Sequence, residues 1–152
     1  MFKRRKKRLK AELANESLEY LQRLKSLTLQ LKAIYEKSVK TKIEKDVLSI
    51  CKSVKNIMQV LIDDNSKMSG QRLLIDYYLP ELLQILNQYI AIKTNNLSST
   101  EALNTLEQIE NFLPIADNAF KKLLENKVSQ SSSDIDIDIK IMMEKLINKK
   151  LG

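Results

Sequence analysis

Apolar side chains recur at alternating steps of four and three along most of this chain, and that spacing restricts its fold more than any other feature. Leu13, Ser17, Tyr20, Leu24, Leu27, Leu31 and Ile34 set the rhythm, with Ser17 the one polar interruption. Such steps keep one stripe of a helix turned toward a partner helix. They predict a first helix from the basic N-terminus to about Lys37, a rod of roughly 43 Å at ~1.5 Å per residue. The stripe then loses phase. Continuing it would bury Ser38, Thr41 and Lys45, whereas apolar positions restart at Ile43. Ser38 and Thr41 both suit an N-cap, and Thr41 with Glu44 has capping-box spacing, so a short turn closing an αα-hairpin is expected.

The second helix repeats the rhythm through Ile43, Val47, Ile50, Val54, Ile57 and Leu61, with Leu48, Cys51, Met58 and Ile62 widening its face. A loop is expected over 63–70, then a third helix from about Gln71 to Lys93 that is apolar nearly all round and suited to a central place. Pro80 removes a backbone donor inside it and predicts a kink or break near Asp76–Tyr77. Ser98 with Glu101 has the pattern that opens a fourth helix, whose stripe is Leu103, Leu106, Ile109, Leu113, Ala116, Phe120 and Leu123, with a bend at Pro114. After a linker at 130–133, Asp134–Ile141 alternates strictly. A lone strand would have no partner here, so an extended entry and a short fifth helix are expected. The fold predicted is all-α: about five helices, a long N-terminal hairpin packed on a central, proline-kinked apolar helix.

Composition agrees with this reading and narrows the function. At 152 residues the chain is one domain in size, and two glycines and two prolines are too few for a fold rich in turns. A single cysteine, Cys51, excludes an intrachain disulfide and reads as a small core residue on an apolar helix face. The net charge of +7 is localised. Lys3, Arg4, Arg5, Lys6, Lys7, Arg8 and Lys10 contribute seven of the 26 basic residues, and the 19 that remain equal the 19 acidic ones. Residues 1–10 are thus a polybasic arm and residues 11–152 a neutral helical domain. No run of about 18 apolar residues is present, and no apolar stretch follows the basic start as a signal peptide requires. A cytoplasmic location is expected, peripheral at the inner face of the cell membrane. Cations at a helix N-terminus oppose the helix dipole, which argues that the arm serves a partner. An anionic membrane surface gains ~1 kcal/mol per Lys or Arg, and Phe2 and Leu9 could add shallow contacts. Nucleic acid is disfavoured, because the neutral body offers no second basic surface and no basic-aromatic motif.

Catalytic constellations fail one by one. The chain has no histidine, which removes the commonest general base. Position 57, six beyond Cys51, is Ile57, where a cysteine phosphatase needs an arginine. An EF-hand starting at Asp134 would need glycine and glutamate where Ile139 and Lys145 stand. Asp134, Asp136 and Asp138 therefore read first as helix-capping and dipole-compensating residues, and as metal ligands only in the rival reading below. No cofactor is called for.

The segment from Leu73 to Tyr89, LLIDYYLPELLQILNQY, resembles the YYLP-bearing signature of the XpaC-like proteins, known as 5-bromo-4-chloroindolyl phosphate hydrolysis proteins. Tyr77, Tyr78, Pro80 and Tyr89 carry the motif. Leu106–Glu110 leading to Phe120 is similar to the family's fourth helix, and Ile135–Asp138 to its LDLD tail, over roughly residues 18–151. The resemblance implies a bacterial helical protein associated with TelA-like toxic-anion-resistance proteins, often with membrane spans before this domain. Those spans are missing here, and the basic arm stands where a juxtamembrane segment would lie, as in a short or truncated member. The leading expectation is a non-catalytic helical module at the cytoplasmic membrane face that binds a helical, TelA-like partner. The rival is a phosphatase acting on 5-bromo-4-chloroindolyl phosphate-type monoesters, in which Asp134, Asp136 and Asp138 would hold a metal. No assembled set of residues that would perform that hydrolysis is seen.

Overall fold

The computed structural model describes residues 2–126, 128, 143, 144 and 146. Four long helices dominate: α1 (Phe2–Ser38), α2 (Glu44–Asp63), α3 (Leu79–Thr94) and α4 (Thr100–Glu125). A 3-10 helix, Asn65–Gln71, and a π-helical turn, Leu74–Tyr78, join α2 to α3. No strand occurs among the described residues. The chain is an all-α bundle, as the periodicity requires.

The packing is a ring. α1 lies beside α2, α2 beside α4, α4 beside α3, and α3 returns to α1. The two short hairpins join ring neighbours, while the 3-10 and π segments carry the chain across from α2 to α3. Leu24, Leu31 and Ile34 of α1 meet Val47, Ile50, Val54, Ile57 and Leu61 of α2 in one buried cluster with α3 and α4. Met143 and Leu146, both helical, are buried in the same core. The alternation at 134–141 lies outside the described residues.

Local chemistry explains most departures from the expected boundaries. The α1–α2 turn is closed from behind: Lys40 takes a left-handed backbone, φ 71°, and its N–H donates to Glu44 Oε2 at 3.1 Å. Thr41 donates its hydroxyl to the Ser38 carbonyl at 2.6 Å, so it ties off α1 and does not cap α2. The expected loop at 63–70 is instead largely the 3-10 helix, because Asp64 accepts from both the N–H and the hydroxyl of Ser66. Those two bonds, with Lys67 nearby, hold the Asp64 carboxyl below its ordinary range. The cap of α4 is Ser99, not Ser98, accepting from Ala102 N at 3.1 Å. α3 ends in a Schellman arrangement with Asn96 left-handed and Leu97 N–H bonded to Ile92 O.

Pro80 acts as predicted. It sits in the first turn of α3, and the backbone just before it widens into the π-helical turn that contains Asp76 and Tyr77. α3 is apolar on most sides yet keeps one narrow solvent edge at Gln84, Asn87 and Ala91. Two positions expected on buried faces fall outside the core: Leu103 and Ile62 are exposed, while Ala102 and Thr105 are buried beside Leu106. α4 continues through Pro114 as one helix.

Candidate functional site

The arm is helical from Phe2 onward, an unbroken continuation of α1. Arg4 to Arg8 are exposed, as are Ala11, Glu12, Ala14 and Asn15. Among the described residues the first on α1 in the buried core is Leu24, with Tyr20 and Leu21 packed partly against that core. The stretch before Glu16 therefore projects by roughly 20 Å at ~1.5 Å per residue. No acidic residue lies in its first turn, so nothing on that turn offsets the stacked cations.

At the root of this projection α1 is latched to the segment between α2 and α3. Tyr20 donates its hydroxyl to Asp76 Oδ2 at 2.8 Å, and Arg23 pairs with the other oxygen of the same carboxylate. Arg72, just beyond the 3-10 helix, pairs with Glu16 at 2.5 Å. Both guanidiniums lie over the Tyr20 ring, Arg23 at 4.9 Å and Arg72 at 5.7 Å from its centre. The hydrogen bond to Asp76 holds the Tyr20 phenol above its ordinary pKa, with burial and the Asp76 charge adding to it and the two arginines opposing. The π-helical turn is what presents Asp76 to α1. Two clefts flank the latch. One, of about 200 Å³, is lined chiefly by Glu16, Ser17, Tyr20, Asn65, Ser69 and Arg72. The other, of about 260 Å³, lies between Arg23, Gln30, Asp76 and Pro80.

The motif tyrosines occupy the interior. The Tyr77 and Tyr78 rings meet edge-on, 5.2 Å apart at 71°. Tyr78 is buried with its hydroxyl unpartnered, and Tyr77 is half-buried. Burial first, then Glu144, Glu81 and Tyr78, raise the Tyr77 pKa. Tyr89 is fully buried and donates to Glu110 Oε2 at 2.9 Å, with Lys93 5.9 Å from its ring centre. Burial and that carboxylate push its phenol far up. The Tyr89–Glu110 bond ties α3 to α4.

Asp134, Asp136 and Asp138 lie outside the described residues. Asp76 is committed to Tyr20 and Arg23. Among the described residues no group of three or more metal-ligating side chains converges. Cys51 is half-buried with its sulfur 3.7 Å from the Leu31 carbonyl, and burial pushes the thiol up to about 11, so it stays protonated at neutral pH. Across the α2–α4 seam Asp117 is buried, one oxygen on Lys121 at 3.1 Å and the other unpartnered. Burial, and next the Asp117 charge, raise the Asp46 pKa, against the pull of Lys121. A raised carboxyl favours the folded state as it protonates, so the cost of this pair is largest above the folded pKa of Asp46 and falls away below it.

Sequence reasoning found the arm but not the latch. Tyr20 and Arg23 sit one turn apart on α1, an ordinary spacing, and their partner is 56 residues from Tyr20 in sequence. Only the π-helical turn brings them together. No helix among the described residues is long and apolar enough to cross a membrane. Comparison with protein-family models, with curated proteins and with solved structures finds no match.

Proposed function

We propose that this protein is a non-catalytic helical module that seats on an anionic membrane surface through the N-terminal projection of α1, at the cytoplasmic face, and presents its bundle to a helical partner. The carrying observation is the placement of the cations. Arg4 to Arg8 stand exposed on a helix that runs beyond the core, joined without a break to a bundle whose remaining charge is balanced. A rigid cationic rod can lie along a charged plane without rearranging the domain behind it, and each cation near the surface adds about 1 kcal/mol. The resemblance of Leu73–Tyr89 to the XpaC-like signature supports the same reading, and the TelA-like partner comes from that resemblance alone.

Sedimentation with vesicles tests it. The full chain should bind phosphatidylcholine vesicles containing phosphatidylglycerol, release them as salt rises, and ignore pure phosphatidylcholine. Equal binding to both compositions, or binding indifferent to salt, would refute the electrostatic seat.

A further inference from the structure

The cleft at the root of the arm has the chemistry of an anion receptor, and we infer that it is a phosphoryl-group subsite in which Arg72, Ser17, Asn65 and Ser69 hold the oxygens of a phosphate ester. Two sources share that chemistry: the headgroup of a lipid under the arm, and a soluble phosphate ester. The lipid source rests on the membrane reading above; the phosphoryl chemistry does not.

Four features converge. Arg72 already holds one anion, the Glu16 carboxylate, through Nη2 at 2.5 Å, and a planar guanidinium fork suits phosphate oxygens as well. Its guanidinium carbon lies 5.7 Å from the centre of the Tyr20 ring, a cation–π contact that helps hold the group at the cleft. Ser17, Asn65 and Ser69 line the same cleft, and none of their side chains makes a hydrogen bond within the described structure. Ser66, by contrast, is committed to Asp64. Finally, Glu16, Ser17 and Tyr20 place the cleft on α1 between the exposed Arg4–Arg8 stretch and the buried Leu24. Glu16 is then an internal competitor. It neutralises Arg72 while the cleft is empty and must swing away for a phosphate to enter, which its partial exposure permits.

Titrating the full chain with glycerol 3-phosphate, followed by amide NMR, tests the inference. Saturable shifts are expected at Ser17, Ser69 and Arg72. Affinity should fall about tenfold or more in Arg72→Ala. It should fall similarly in the double variant Ser17→Ala/Ser69→Ala, which keeps the Arg72–Glu16 pair and so guards against loss of the local fold. Glu16→Gln should bind more tightly than the parent. Shifts confined to residues 2–10, or affinities equal in all four proteins, would overturn the subsite and leave only ions gathered around the arm. Vesicles of phosphatidylcholine with phosphatidylglycerol separate the sources. Weaker vesicle binding by the double serine variant assigns the site to lipid, whereas loss of glycerol 3-phosphate binding alone assigns it to a soluble ester. Should the parent chain ignore these vesicles while still saturating with glycerol 3-phosphate, the membrane reading falls and the subsite stands.

Discussion

Replacing Lys3, Arg4, Arg5, Lys6, Lys7, Arg8 and Lys10 together by glutamine is expected to lower affinity for phosphatidylglycerol-containing vesicles by about a thousandfold or more. At about 1 kcal/mol per cation the seven set a ceiling of roughly 7 kcal/mol, near five orders of magnitude. A helix turns some side chains away from a flat surface, and salt screens the rest, so the observed loss should fall below that ceiling. Glutamine retains helix propensity and relieves the clash between cations and the helix dipole, so α1 should remain folded. Titration calorimetry or sedimentation, with circular dichroism alongside, measures both quantities. Unchanged affinity in a folded variant would remove the arm from the account.

The second large effect lies in the core. Phe112 of α4 is fully buried, and Phe112→Ala should cost about 3–5 kcal/mol, the transfer term plus the cavity left behind. Against a typical total of about 5–15 kcal/mol this is a severe loss, and the melting temperature should drop by about 10 °C or more. Leu103→Ala, nine residues earlier on the same helix, should change stability by about 0.5 kcal/mol or less because Leu103 is exposed. Denaturant titration of the pair decides the matter. Comparable losses would mean that the face of α4 assigned to the core is wrong.

That contrast also shows where the sequence is legible. Along α1 and α2 the four-three stepping is strict, and Leu24, Leu31, Val47, Ile50, Val54, Ile57 and Leu61 are buried where it puts them. At the start of α4 the phase is ambiguous: Ala102 and Leu103 both fit, and the cap at Ser99 rotates the smaller residue inward. Pro80 announces a disruption but not its kind. The π-helical turn packs against both α1 and α3, and no local pattern encodes those contacts. The latch is hidden for the same reason, since Tyr20, Arg23, Arg72 and Asp76 look like ordinary surface residues until tertiary structure joins them. The arm needs no fold to be read, because charge is visible in sequence; its continuity with α1 is what the structure adds.

Hydrogen exchange of the full chain, with and without phosphatidylglycerol-containing vesicles, tests the central claim most directly. The projecting part of α1 has backbone bonds open to water and few packing contacts, so its amides should exchange quickly in solution. On vesicles, protection should rise across residues 2–15 while amides beside Leu24, Ile57 and Leu86 keep their rates. Protection appearing on α2 or α4 with the arm unchanged would contradict the account.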